Sequence, residues 1–532
     1  MSSRENYKSL LRIVITFCLI QSIITGKSRC NPDLCDCSKY QQDNWFSCPA
    51  NGPTSVTFKI WDSGKLRGML DPAKYFPLIE AYVTCYTNDQ LVFDVLSQID
   101  VESVQQIAYT NCTVPFNSSL AAGMPNLTGL RFQLDHDAVD LHWKSVHFTG
   151  MNNLWKIELK TYSPSQLPNT PSELPSLNEV HLNMQHPNLN LFSSARRIFL
   201  HNIYGSFNSD GLENNTELRL YIQNSQLNPL TAASMKGLVG LKWILLSTNV
   251  LSYDSDTLNP LVNLEEFHSS ANKVKAFPSE LFRKNKKLRS IHISEEEVDT
   301  LPEEFFSYLP ELKDVDIYSC ELRTVPQNIF QNSDAIQKVS FMNNKLSSLP
   351  AGLFDNLPVL ESVNLAGNLF ENTLTSLPID LFANVPMLKA ITLSRNRFET
   401  VPIAQIKSIS GLSIDLSSNQ IKDITVEDLA IFEKNTKVNL GRNKISQFSG
   451  ISYLRQHLYR YNSTLVLDGN TFNCSLCDVH HLLQEQTPRH FENVAQKPFS
   501  INLYGIMCFG YNIMLRSLHL TFDGCDLTAP SD

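Results

Sequence analysis

No G-x-G-x-x-G follows a strand pattern in this chain, and there is no P-loop, no H-E-x-x-H and no G-x-S-x-G. With no evident nucleophile–base pair either, the expectation is a non-enzymatic protein that needs no cofactor. A metal centre is not expected. His480 and His481 are adjacent, so on a helix they point in different directions. A surplus of cations is also missing: 44 Lys and Arg stand against 53 Asp and Glu, a net charge of −9, which argues against a nucleic-acid partner. No long stretch reads as disordered, since 42% of residues are hydrophobic and 18% charged. After Cys525 only seven residues remain, with neither an apolar stretch of membrane length nor a tail fit for a lipid-anchor signal. The expectation is a soluble exported chain or an ectodomain cut from a longer receptor, with no membrane span of its own.

What is present is a repeat. The frame L-x-x-L-x-L-x-x-N recurs with Asn249, Asn272, Asn344, Asn368, Asn396, Asn419, Asn443 and Asn470 in its last position, and Glu296 and Cys320 fill the same slot in two further repeats. The spacings are 23, 24, 24, 24, 24, 28, 23, 24 and 27. In Leu360-Glu-Ser-Val363-Asn364-Leu365-Ala-Gly-Asn368 the centre alternates as a short strand does, with Val363 and Leu365 inward and Asn364 outward. The Asn amide both donates and accepts, so it can satisfy backbone groups at the turn. Glu296 departs from this logic, because an ionised carboxylate only accepts; Cys fits the slot. A second frame, Leu301-Pro302-x-x-x-Phe306, Val325-Pro326-x-x-x-Phe330, Leu349-Pro350-x-x-x-Phe354 and Leu377-Pro378-x-x-x-Phe382, supplies apolar side chains to the other half of each coil.

Over residues 241–472 this pattern resembles the 24-residue extracellular leucine-rich repeats of Toll-type receptors and Slit-type guidance proteins. Upstream the slots fall on Tyr86, Cys112, Asp135, Tyr162, Gln185, Ile203 and Ser225, giving about seventeen repeats, one of them with a gap of only 18 residues.

The N-terminus reads as an export signal: Arg4, Lys8 and Arg12 precede an apolar run over residues 13–20, too short and interrupted for a comfortable span. Cys30, Cys35, Cys37 and Cys48 cluster after it, and Cys474, Cys477, Cys508 and Cys525 after the last repeat. A solenoid exposes its core at both ends, and a small cap without a core of its own needs staples. Sequence alone allows three connectivities in each group of four. Both groups resemble the cysteine caps of secreted leucine-rich repeat proteins, and that resemblance implies Cys30–Cys37, Cys35–Cys48, Cys474–Cys508 and Cys477–Cys525. Cys85 and Cys112, at nearly equivalent places in adjacent repeats, are candidates for a fifth bridge. Cys320 is left as a buried, inert thiol. Six N-x-S/T sequons, at Asn111, Asn117, Asn126, Asn214, Asn462 and Asn473, fit glycosylation in an exported protein.

Stacked strands expose one column between the two inner leucines. Here it reads Glu158, His181, Phe199, Tyr221, Leu245, His268, His292, Asp316, Ser340, Asn364, Thr392, Asp415 and Asn439. Trp243 lies two residues before Leu245 and faces the same side. At strand spacing, the stretch from His181 to His292 would cover roughly 25 Å. Two readings stand open: His181, Phe199, Tyr221, Trp243, Leu245, His268 and His292 form a ligand-binding patch, or Phe199 and Tyr221 are core residues of irregular repeats. Histidines titrate near pH 6.5, so binding there would be open to pH dependence. The run Arg283-Lys284-Asn285-Lys286-Lys287-Leu288-Arg289 could grip an acidic glycan, but Glu295, Glu296, Glu297, Glu303 and Glu304 follow and are expected to neutralise it.

The fold expected is an α/β solenoid, a right-handed leucine-rich repeat horseshoe with a parallel concave sheet and disulfide-stapled caps. Residues 1–28 are the signal, 29–76 the N-terminal cap, 77–472 the repeats and 473–532 the C-terminal cap. The function expected is recognition of an extracellular protein or glycoconjugate, in immunity, adhesion or development, with the oligomeric state open. Two alternatives belong to other classes. One is a non-catalytic subunit of a secreted enzyme, since such subunits of shrimp luciferases share the repeat and caps. The other is a matrix structural protein, against which the lack of a Ser-Gly-rich attachment stretch argues.

Overall fold

The computed structural model describes residues 105–110, 125–133, 151–160, 174–184, 186–227, 230–367, 374–406, 409–446 and 463–472. It also places the backbone of the strands Ile13–Thr16, Ser55–Ile60, Glu80–Cys85, Ser500–Asn502 and Met507–Cys508. The chain divides into two units, Met1–Leu264 and Glu265–Asp532. The side chains of the ten cysteines expected in bridges, Asn368, and the sequons at Asn111, Asn117, Asn462 and Asn473 lie outside the described residues.

In the first unit each strand pairs in parallel with the next along the chain, from Ser55–Ile60 through Glu179–Asn183, Arg197–His201 and Arg219–Gln223 to Trp243–Ser247. From Lys156–Lys160 onward every strand repeats one burial alternation, with positions two and four inward and one, three and five outward. Ile198, Leu200, Leu220, Ile222, Ile244 and Leu246 are all fully buried. The strand Glu179–Asn183 pairs directly with Arg197–His201, so the 18-residue interval is a complete turn. That turn is closed by the 3-10 segment Leu189–Phe192, in which Asn188 accepts from the Asn190 amide. Ile13–Thr16, inside the apolar run read as an export signal, pairs antiparallel with Ser55–Ile60.

In the second unit the strands run in the same way from Glu266–Ser270 through Ser290–Ser294 and Asp314–Tyr318 to Thr464–Val466, which pairs with Ser500–Asn502. Opposite the strands, Phe282, Phe306, Phe330, Phe354 and Phe382 form a stacked spine with successive ring centroids 6.3, 6.0, 6.5 and 5.9 Å apart. Each is nearly or fully buried, which stabilises the coil by roughly 1.5–3 kcal/mol per ring. Helix is scarce: among the described residues α-helix is limited to Ala232–Met235 and Ile403–Ile406, so the turns opposite the sheet are mostly irregular.

The slot asparagines explain the frame. In the second unit, Asn443 donates from Nδ2 to the carbonyls of Leu416 (3.0 Å) and Leu440 (2.9 Å), and its Oδ1 accepts the Ile421 amide at 3.1 Å. Asn419 and Asn470 repeat this arrangement. Each side chain thus ties two successive turns, and the Leu416 and Leu440 carbonyls are each shared by two successive slot asparagines. The residue before the slot is left-handed at Thr248, Ala271, Glu295, Ser319, Asn343, Arg395, Ser418 and Arg442, with φ between 53° and 58°, and at Gly469, with φ 71°.

Glu296 departs in composition and is accommodated by its neighbours. Its carboxylate is buried and accepts four hydrogen bonds: Ser269 Oγ (2.8 Å), Asn272 Nδ2 (2.9 Å), and the amides of Asn272 (2.9 Å) and Val274 (3.0 Å). Ser269 itself replaces an inner leucine. An acceptor-only side chain fits because the preceding turn supplies only donors. Cys320 is free and buried, 3.8 Å from the Ile293 carbonyl, and burial pushes its thiol up to about 12.

Candidate functional site

The outward positions of the first unit form three parallel lanes. In the central lane Arg131, Glu158, His181, Phe199, Tyr221 and Leu245 stand in direct register. His181, Phe199 and Tyr221 therefore face outward and are half-buried, not core. Register brings their rings to stacking distance: His181 to Phe199 4.3 Å with planes 7° apart, and Phe199 to Tyr221 4.2 Å at 16°. Trp243 continues the ladder from its own lane, 4.5 Å from Tyr221 at 46°. Leu245 lies beside Tyr221 and closes the apolar strip.

The first lane carries charge. Lys156, Glu179, Arg197, Arg219 and Trp243 are in register. Glu179 serves three basic neighbours: Lys156 Nζ at 2.8 Å, His181 Nε2 at 2.7 Å and Arg197 Nη1 at 3.8 Å. Burial alone would raise the Glu179 carboxyl, but hydrogen bonds and charge from Lys156 and His181 hold it below the usual carboxylate range. Arg219 lies over the Trp243 ring, 5.9 Å from its centroid. Arg219 has no carboxylate partner among the described residues, and both arginines are exposed. In the third lane His201 stacks at 6.0 Å on His181 and 6.4 Å from Phe199. Burial, and then the charge of His181, lowers the His201 pKa.

Arg219, Arg197, Glu179 and His201 were not among the expected site residues. The same two-residue offset that places Trp243 beside the central column places them there too. The central column alone does not reveal them.

His268 and His292 belong to the second unit, where they stack on each other at 4.6 Å and 8°. His292 Nε2 is 2.7 Å from Ser290 Oγ, and its Nδ1 is 3.6 Å from Asp316. His268 Nε2 is 3.6 Å from Glu266. Burial, with the neighbouring His292 second, lowers the His268 pKa despite Glu266. Further along, the outward column becomes Ser340, Asn364, Thr392, Asp415 and Asn439, small and polar.

In the basic run over residues 283–289 both arginines have acidic partners, and of the acids expected to neutralise the run Glu304 acts on Arg283. Arg283 pairs with Glu280, while Arg289 reaches Glu265 at 2.7 Å and Glu311 at 3.3 Å. Lys286 donates to the Tyr308 carbonyl. Glu296 takes no part, being buried in the slot column. Asn126 and Asn214, the two sequon asparagines among the described residues, are both exposed. No group of three or more His, Cys, Asp or Glu among the described residues is arranged to hold a metal ion. No helix among them is long and apolar enough to cross a membrane.

The family profile described as BspA type leucine rich repeat region matches in overlapping stretches, residues 212–337, 254–371 and 300–466. The chain is a leucine-rich repeat protein. This leucine-rich repeat chain is similar to a Leptospira interrogans leucine-rich repeat protein, at 17% identity over 75% of this chain and 91% of that one, with a TM-score of 0.52. It is also similar to mouse RP105 in its complex with MD-1, at 18% identity over 80% and 71%, with a TM-score of 0.51. Drosophila Toll in complex with Spätzle aligns at 18% identity over 87% and 70%, with a TM-score of 0.47. At these identities the likeness is one of fold. No curated protein matches the chain.

Proposed function

We propose that this chain is an exported, non-enzymatic recognition protein that binds a protein partner on the outward face of its strands. His181, Phe199, Tyr221, Trp243 and Leu245 serve as anchors. The observation that carries the reading is the ladder itself. Four outward rings at successive strands, stacked on one another, make an apolar ridge whose neighbours in the same column on the N-terminal side are the charged Glu158 and Arg131. Aromatic side chains lose little conformational entropy on binding and dominate interface energetics. The mouse RP105 structure is a complex with MD-1, so the same fold holds a protein partner there. Export is supported by the apolar N-terminal run, the clustered cysteines and the exposed sequons at Asn126 and Asn214. The bridges implied by the cap resemblance, and the fifth between Cys85 and Cys112, belong to this reading.

The test is capture from native extracellular fluid with two baits, the wild-type full chain and a variant carrying Tyr221→Ala and Trp243→Ala. The variant is checked for unchanged circular dichroism and elution volume. A partner held by the wild type and lost from the folded variant supports the reading. A stoichiometric enzyme-sized partner held equally by both would favour the enzyme-subunit alternative and remove the ridge from the account.

A further inference from the structure

The ridge also discriminates between the two ligand classes open to such a face. Carbohydrates pack their C–H faces on exposed aromatic faces, but here the faces are used up: His181, Phe199 and Tyr221 lie 4.2–4.3 Å apart and nearly parallel. What the interior of the ladder presents outward is ring edges. An aromatic quadrupole is negative on its face and positive at its edge, so edges attract carbonyl and carboxylate oxygens. Beside the edges runs a first lane with local excess positive charge. Lys156, Arg197 and Arg219 together carry three cations against the single carboxylate of Glu179. Arg219 is held in place over Trp243 with no acid of its own among the described residues. This local excess stands out on a chain of net charge −9.

Resting on the reading of the ridge as a partner-binding face, we propose that its ligand is an acidic peptide segment of a protein rather than a glycan. An extended segment lies along the strand direction, passing from the first lane to the central one, where a two-residue step of about 6.6 Å matches the lane spacing. One of its carboxylates is received by Arg197 and Arg219 with the planar, forked donors that suit that group. An aliphatic or aromatic side chain two residues on packs along the edges of Phe199 and Tyr221. His201 flanks the opposite side, and its half-buried ring favours the neutral form there.

Fluorescence anisotropy on the full chain tests this with three labelled probes: a glutamate–tyrosine copolymer, polyglutamate and a heparin oligosaccharide. The copolymer should bind at least about tenfold more tightly than polyglutamate. The Arg197→Glu, Arg219→Glu double variant should lose at least about tenfold, because charge reversal replaces attraction by repulsion at exposed positions. A control reversal at Lys338, in the second unit, should leave binding unchanged. Heparin binding as tight as the copolymer, or equal binding of copolymer and polyglutamate, would mean simple attraction of anions and overturn the proposal. So would an absence of copolymer binding, or indifference to the double reversal. The two readings fail separately: a captured partner lost from the Tyr221→Ala, Trp243→Ala bait but retained by the arginine variant would keep the ridge and remove the acidic-peptide ligand.

Discussion

Replacing Glu296 tests whether the slot column holds successive turns together. In Glu296→Ala four buried donors lose their acceptor. Two of them can help each other, because Asn272 Nδ2 already lies 3.0 Å from Ser269 Oγ. The backbone amides of Asn272 and Val274 cannot turn away. An orphaned buried donor costs about 1–3 kcal/mol, so the two together cost about 2–6 kcal/mol. Glu296→Asn should behave differently. Asn occupies the equivalent slot at residues 419, 443 and 470, where its Oδ1 accepts the amide two residues past the previous slot. It should therefore recover the Val274 bond, leave the Asn272 amide as the one orphaned backbone donor, and cost about 1–3 kcal/mol, roughly half the alanine cost. Because repeat arrays open locally, the readout is amide hydrogen exchange at residues 272–274 alongside the urea midpoint. Alanine should speed exchange there by about 30-fold or more, and asparagine by at least about fivefold less than alanine, with the protection it recovers confined to Val274. Equal effects of the two substitutions would refute the reasoning, as would an alanine variant with unchanged exchange.

Three further outcomes follow from the same geometry. Ala271→Gly should stabilise by roughly 0.5–1 kcal/mol in urea melts, because Ala271 has φ +54° and glycine adopts that conformation without a Cβ clash; a loss of stability would contradict it. His201 and His268 both titrate below 6.5 when folded, so protons bind the unfolded chain more tightly. Their stabilising contribution is complete above pH 6.5 and is lost as pH falls through the folded values. The His201→Gln, His268→Gln double variant should therefore lose less stability than wild type between pH 7 and about pH 5, and an unchanged pH slope would count against this. Cys320, with its thiol pushed up to about 12, should resist iodoacetamide at about pH 8 until the chain unfolds, as peptide mass spectrometry would show.

Much of the fold is legible in the sequence because a repeat places each residue by local rules. Strand alternation and the interval between slots are both short-range signals, so the outward column could be named from Glu158 to Asn439, including the short turn between His181 and Phe199. What periodicity does not report is side-chain partnership across strands. The Glu179 cluster, the Arg219–Trp243 contact and the stacking of His201 arise from pairing first, third and fifth positions of neighbouring strands. Glu296 shows the same limit from the other side. Taken alone it breaks the slot rule, yet the equally atypical Ser269 one turn earlier supplies the donor that makes it fit. For Arg289 the balancing acids are not the ones that follow the run in sequence. Glu265 and Glu311 lie more than twenty residues from Arg289 but one turn away in space.

The most direct test of the account is the affinity of a captured partner, measured by biolayer interferometry against three immobilised forms of the chain. These are the wild type, Phe199→Ala with Tyr221→Ala, and Asn364→Ala with Thr392→Ala from the polar part of the column. Hot-spot aromatics typically contribute more than about 2 kcal/mol each, so the account predicts a loss of at least about 30-fold for the first variant and less than about threefold for the second. Equal affinity for all three forms would contradict it, and would move the binding surface away from the aromatic ladder.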